Sequence, residues 1–269
     1  MTDPARQLQP HQTAGARTLL LPREHGAYTE LGFSLATGLA LGDFTSTKIL
    51  LAVSLVLFFI AHEPVVVLIG ARGRRRLDEF KNRAFSHAIG LSATGAVLGI
   101  LGWWQAPPAA RAAVLLPLAF GAAVLVMIVI RREKTAAGEM LVAFTFASSV
   151  GPIALAGGSD AAMIAGVLWA IIFALQTFTV REVRLRSPQE SSRRAGPSAM
   201  FWIAAATGVV IVLLFTMTAS FPVIALLPTS AVVAVCGLLR VSARRLRTVG
   251  WAFAVSDVLA LAEMLAVLR

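Results

Sequence analysis

Apolar residues run along this chain in blocks, each closed off by charges, prolines or small polar turns. Nine blocks can be counted, at about 25–42, 47–71, 84–104, 109–130, 138–157, 160–181, 199–219, 221–239 and 249–268. Most approach the ~20 residues that a helix needs to cross a ~30 Å hydrocarbon core. Lipid offers no water to backbone amides, so helices, which satisfy those groups internally, are the expected spanning structure. The breaks after the fifth block (Gly157, Gly158, Ser159, Asp160) and the seventh (Ser220, Phe221, Pro222) read as tight turns. The pattern predicts an all-α integral membrane protein of about nine transmembrane helices. Residues 23–269 would form a single polytopic membrane domain. Residues 1–22 mix Pro, Gln, His, Thr and Arg without an apolar signal core, and are expected to form a flexible tail.

Composition agrees. Of 269 residues, 57% are hydrophobic and 14% charged, about half the charged share of a soluble domain. Mean hydropathy is +0.78. The single cysteine, Cys236, lies in an apolar block, which excludes a disulfide framework or a cysteine-based metal cluster.

Net charge is +10, which in a soluble protein would suggest nucleic acid. Here the distribution gives it another meaning. Lys and Arg occur in the tail and then after blocks two, four, six and eight, which together take 21 of the 24. Only Lys48, Arg111 and Arg269 fall on the other side. By the positive-inside rule the N-terminus and the four basic connections are cytoplasmic and the C-terminus is outside. The implied partner is the lipid bilayer, and no nucleic-acid partner is expected.

Charges inside the blocks cost ~2.5–3.5 kcal/mol each at mid-bilayer on the insertion scale, so each needs a reason. Arg23, Glu24, His25 and Glu30 open the first block. Arg23 and His25 suit an anionic head group while Glu30 points into a cavity; equally, Pro22 and Glu24 suit an ordinary first helical turn. His62, Glu63 and Pro64 interrupt the second block. Nine residues separate Glu63 from Arg72, which puts it about 13 Å below the basic edge. It reads as a site residue or as a polar lock between helices. The stretch from Arg72 to Arg83 reads as a solvated basic loop or as a lid over a phosphorylated substrate. Gln176, Arg181 and Glu182 close the sixth block, Glu139 opens the fifth, and Asp257 and Glu263 lie in the ninth. The last two are six residues apart, about 600° of rotation, and do not share a face. No P-loop, dinucleotide fingerprint, HExxH or GxSxG is present, and no His or Cys spacing suits a metal, so no metal ligands are assigned.

The run Leu21-Pro22-Arg23-Glu24-His25-Gly26-Ala27-Tyr28 resembles the opening motif of the YwiC-like family of bacterial membrane proteins. The basic stretch after the second block and Val180-Arg181-Glu182-Val183-Arg184-Leu185-Arg186 extend the resemblance. It implies a multi-pass protein of the bacterial inner (cytoplasmic) membrane. More distantly, the layout is similar to the UbiA superfamily of intramembrane prenyltransferases, with nine helices, a cytoplasmic N-terminus and active-site loops after helices two and six. That superfamily holds Mg²⁺ and an isoprenyl diphosphate on two aspartate-rich motifs. Here residues 65–76 contain no acid, and the sixth block offers only Glu182. The cofactor is therefore unassigned, with Mg²⁺ the candidate that the resemblance raises. Taken together, these features point to an intramembrane enzyme acting on a lipophilic small molecule, an isoprenoid diphosphate or similar, by prenyl transfer or terpene cyclisation. Arg23, His25, His62, Arg72, Arg83 and Arg181 would bind the substrate, and Glu30, Glu63 and Glu182 would be catalytic. The alternative is a transporter or a non-catalytic membrane component, in which the same acids relay protons or substrate.

Overall fold

A computed structural model describes residues 20–21, 25–186, 202–203, 206–207 and 221–269. Residues 1–19 of the expected tail, Arg23 and nearly all of the seventh apolar block lie outside these residues. Among the described residues every regular element is helical. The elements are α1 (His25–Ala40), α2 (Ser46–Leu68), α3 (Arg74–Gln105), α4 (Pro108–Val129), α5 (Ala136–Leu155) and α6 (Ala162–Leu185). A 3₁₀ segment (Phe221–Leu226) then leads into α7 (Leu227–Leu238), and α8 (Leu246–Leu268) ends the chain. Among the described residues six helices are long and apolar enough to cross a membrane: α2 to α6 and the segment Ala243–Leu268. The protein is a multi-pass membrane protein.

Local chemistry sets the helix ends. Thr45 and Thr135 cap α2 and α5, their hydroxyls accepting from the amides of Lys48 and Gly138 at 3.4 and 3.3 Å. Pro107 and Pro108 start α4, where a missing amide proton costs nothing. The largest departure from the sequence reading is at α3. Its 32 residues begin at Arg74, so the charged stretch read as a loop is mostly the first turns of a helix.

Consecutive helices pack antiparallel, α2 on α3, α4 on α5 and α5 on α6, and α1 lies against α5. The core gathers at α1, α5, α6 and α8, around fully buried Trp169, Ile172 and Phe173 of α6. Trp169 stacks on Phe33 with ring centroids 5.5 Å apart and donates its indole N–H to the Thr37 hydroxyl at 2.7 Å. That bond satisfies two buried polar groups at once. By contrast α3 and α4 expose Ile100, Leu101, Leu115, Leu118 and Val126, the surface expected of helices facing lipid.

The antiparallel order sends the basic connections to one end, and side-chain contacts join them there. Arg72 after α2 reaches Glu133 between α4 and α5, and Arg184 of α6 reaches Glu139 at the start of α5. The opposite end is tied as well. The amide of Asp43 donates to the Gly157 carbonyl at 2.8 Å, and Lys48 is fully buried there, its ammonium donating to the carbonyls of Leu39 and Leu41 at 3.1 and 2.6 Å. Lys48 therefore caps the C-terminus of α1, where a cation meets the negative end of the helix dipole.

Candidate functional site

The densest polar arrangement lies at the basic end. Glu63, on the fifth residue before the end of α2, is 1% exposed. Both of its oxygens accept from Arg72: Nε donates to Oε1 at 3.2 Å and Nη2 to Oε2 at 2.8 Å. The third arm, Nη1, donates to Oε1 of Glu133 at 3.2 Å. This bidentate fork is a strong form of ion pair, and burial raises what is at stake in it. A glycine makes it reachable. Gly70 (φ +75°) turns the chain back after α2, returning Arg72 over the helix it has just left, and Gly73 (φ +94°) then redirects it into α3. The depth reckoned by counting residues is corrected accordingly: α2 ends at Leu68, so Glu63 lies about 8 Å from the helix end rather than 13 Å below Arg72.

His62 is half-buried and within electrostatic reach of Glu133, Glu63 and Arg72. Tyr28, on the first turn of α1, sits edge-on to Phe59 at 4.9 Å and feels the charge of Glu63. The motif that opens the first block therefore borders the Glu63–Arg72 pair. His25 is the first residue of α1. Arg83 lies in α3 beside Ala84, which packs against Val67 and Leu20 near the end of α2. Arg23 lies outside the described residues.

A second arrangement sits where α5 begins and α6 ends. Glu139 accepts from Arg184 at 3.2 Å and from Arg181 at 3.5 Å, and Arg181 also donates to the Lys134 carbonyl at 3.3 Å. Lys134 itself lies in the α4–α5 connection, where burial pulls its ammonium below the usual lysine value and the nearby Glu139 partly offsets this. One turn on, Glu182 pairs with Arg186, which donates in turn to the Cys236 carbonyl of α7 at 3.3 Å. The other oxygen of Glu182 is buried and without a partner among the described residues.

A third polar group lies deeper. Gln176 of α6 donates its amide N–H to Asp257 of α8, both buried. Glu30 of α1 is half-buried, within electrostatic reach of Asp257 and Glu139.

The structure thus brings together Glu63, His62, Arg72 and Tyr28 in one place and Arg181 with Glu139 in another. Glu182 turns to Arg186, and Glu30 lies within electrostatic reach of Asp257 and Glu139. Sequence reasoning overlooked Glu133 and treated Gln176 and Asp257 separately. Glu133 had one signal: it is the only acid among Arg131, Arg132 and Lys134. The donor set does not fit a Mg²⁺–diphosphate site. Both Glu63 oxygens are taken by a guanidinium, and among the described residues no three of His, Cys, Asp and Glu come together as ligands. A cation so placed would have to displace Arg72 first.

No curated protein and no solved structure matches the chain. The family model described as YwiC-like protein does match, over residues 21–155, a stretch that carries α1 to α5 together with Tyr28, Glu30, His62, Glu63, Arg72, Glu133 and Glu139. Since that stretch is half of the chain, the protein belongs to the YwiC-like family.

Proposed function

We propose that the protein is an enzyme of the bacterial cytoplasmic membrane that takes a lipophilic substrate with an anionic head, an isoprenoid diphosphate or a close analogue, and transfers or cyclises its hydrocarbon chain. The observation that carries this reading is the gathering of Arg72, Arg181, Arg184 and Arg186 at one end of the bundle, each opposite a carboxylate. Phosphate oxygens offer guanidinium the same planar, two-point contact that a carboxylate does, with more charge. In the free protein the glutamates fill the places a diphosphate would take. An arriving head group exchanges with them, and Arg23, His25, His62 and Arg83 extend the contact.

That exchange leaves Glu63 as a carboxylate without its cation, next to Phe59 and the apolar interior. When the C–O bond to diphosphate breaks, the electron pair leaves with the diphosphate and an allylic cation remains. A carboxylate at Glu63, with Glu30 or Glu182 behind it, stabilises that cation and accepts the proton lost when the product double bond forms. The apolar helices keep water from quenching the cation. No step is assigned to a metal. In this reading residues 23–269 form one polytopic domain with the N-terminus and the arginine end in the cytoplasm.

The test is incubation of the purified protein with labelled geranyl, farnesyl and geranylgeranyl diphosphates, with and without Mg²⁺ in the buffer. Release of diphosphate together with a changed hydrocarbon product is expected from at least one of the three. Neither turnover nor binding with any of them overturns the proposal. The buried Asp257–Gln176 pair favours a second reading, a transporter, because intramembrane acids mark ion paths. Movement of an intact diphosphate across a proteoliposome membrane would select that reading.

A further inference from the structure

The arginines of the connection between α7 and α8 have no part in the exchange above, and they differ from the others in one respect. Arg72, Arg181, Arg184 and Arg186 each meet a carboxylate. Between Glu190 and Asp257 the sequence holds no acid, yet Arg240, Arg244, Arg245 and Arg247 all fall within eight residues there. Arg244, Arg245 and Arg247 are exposed, and among the described residues no ion pair joins them to a carboxylate. Arg244 and Arg245 lie on the 3₁₀ turn Ala243–Arg245 and Arg247 in the first turn of α8, so one short hairpin carries all three cations. Like charges held this close repel one another, and an anion from outside the chain relieves them.

The surface beneath these arginines is apolar and faces outward. Arg247, Trp251, Val255 and Val258 follow one another at helical spacing and form one exposed line along α8. Trp251, one turn from Arg247, is 67% exposed, which is the pattern of an aromatic ring at the head-group level with a cation above it. The rise from Arg247 to Val258 is about 16 Å, half of a ~30 Å hydrocarbon core and so the depth of one leaflet. On the other arm of the hairpin, Leu238 and Leu239 are exposed at the end of α7, just before Arg240. Each arm therefore sets basic residues against exposed apolar ones, which is complementary to a two-chain lipid with a negative head.

We infer that the α7–α8 hairpin is a docking site for an anionic phospholipid of the leaflet that the basic end faces. Its phosphate sits among Arg244, Arg245 and Arg247, and an acyl chain lies along Trp251, Val255 and Val258. A zwitterionic lipid carries its own cation beside the phosphate and gains less from the cluster. Each arginine near a membrane surface is worth about fivefold in affinity, so three together are worth about 100-fold. The site uses other arginines than the diphosphate exchange and stands or falls independently of it.

Native mass spectrometry of the full chain in detergent, offered equal amounts of dioleoyl phosphatidylglycerol and dioleoyl phosphatidylcholine, reads which lipid is retained. The parent should keep phosphatidylglycerol in preference. Arg244→Gln, Arg245→Gln and Arg247→Gln together should lower that retention by about tenfold or more. Arg131→Gln with Arg132→Gln, which removes two exposed arginines from the end of α4, should leave it unchanged. A second readout keeps the arginines intact. In mixed vesicles of the two lipids, brominated phosphatidylglycerol should quench the part of the fluorescence that Trp251→Phe removes, and do so more strongly than brominated phosphatidylcholine. Equal retention of the two lipids overturns the inference, as does an equal loss in the two arginine variants or quenching indifferent to the head group. Displacement of phosphatidylglycerol by millimolar inorganic diphosphate would assign the cluster to a soluble anion and overturn it too.

Discussion

Replacing Arg72 by Ala removes the cation from a carboxylate that has nowhere to go. Glu63 is 1% exposed and Arg72 22%, so the lost interaction is only weakly shared with water. Taking one partner from such a pair costs ~3–5 kcal/mol, most of it the burial of an uncompensated charge. Because Arg72 is partly accessible and Glu133 is more open than Glu63, the lower end, about 3 kcal/mol, is the expected loss. At about 2–4 °C per kcal/mol for a chain of this size, the melting midpoint should fall by roughly 6–12 °C. The assay is thermal unfolding in detergent, followed by the fluorescence of the five tryptophans. Glu63→Gln should lose less, about 1–2 kcal/mol, because a neutral amide can still accept from the guanidinium. The double variant Arg72→Met with Glu63→Leu should recover more than half of the Arg72→Ala loss, since an apolar pair buries no charge. An Arg72→Ala midpoint within about 2 °C of the parent, less than 1 kcal/mol on that scale, would refute the reasoning.

Other outcomes follow from the opposite end of the bundle and from its orientation. Lys48→Met removes both hydrogen bonds from the buried ammonium to the last carbonyls of α1, and should lower stability by about 2–3 kcal/mol in the same melting assay. An unchanged midpoint would remove Lys48 from its capping role. In a Cys236→Ser background, Asp160→Cys should react with a membrane-impermeant maleimide in intact cells, whereas Asp78→Cys should react only after permeabilisation. Both positions are exposed, and they lie at opposite ends of the bundle. The reverse pattern would invert the orientation derived from the basic connections.

Helix positions were largely legible because the solvent imposes them. The apolar block read at 138–157 is α5, Ala136–Leu155, and the block read at 249–268 is α8, Leu246–Leu268. The start of α3 was not legible from hydropathy. Arg74 to Arg83 is a run of charged residues with good helix propensity, and polarity alone does not separate such a run from a loop. Glu63 and Arg72 were both singled out, yet their pairing was hidden. It depends on the turn at Gly70, whose φ is positive, and counting residues along an unbroken helix puts the two far apart. The remaining partners were beyond reach for a different reason. Arg72 and Glu133 are 61 residues apart and Arg181 and Glu139 are 42 apart, distances closed only by the packing of whole helices. The same holds for Asp257, whose partner Gln176 sits 81 residues away.

The central claim is that the arginines of the basic end exchange their glutamates for a diphosphate, and equilibrium binding of labelled farnesyl diphosphate tests it most directly. The parent protein should bind saturably. Arg181→Ala, which deletes a contact to the head group, should weaken binding by about tenfold or more, the equivalent of one charge-assisted hydrogen bond. Glu63→Gln, which removes the carboxylate competing for Arg72, should bind as tightly as the parent or more tightly while losing turnover. Absence of saturable binding, or binding indifferent to Arg181→Ala and weakened by Glu63→Gln, would contradict the account.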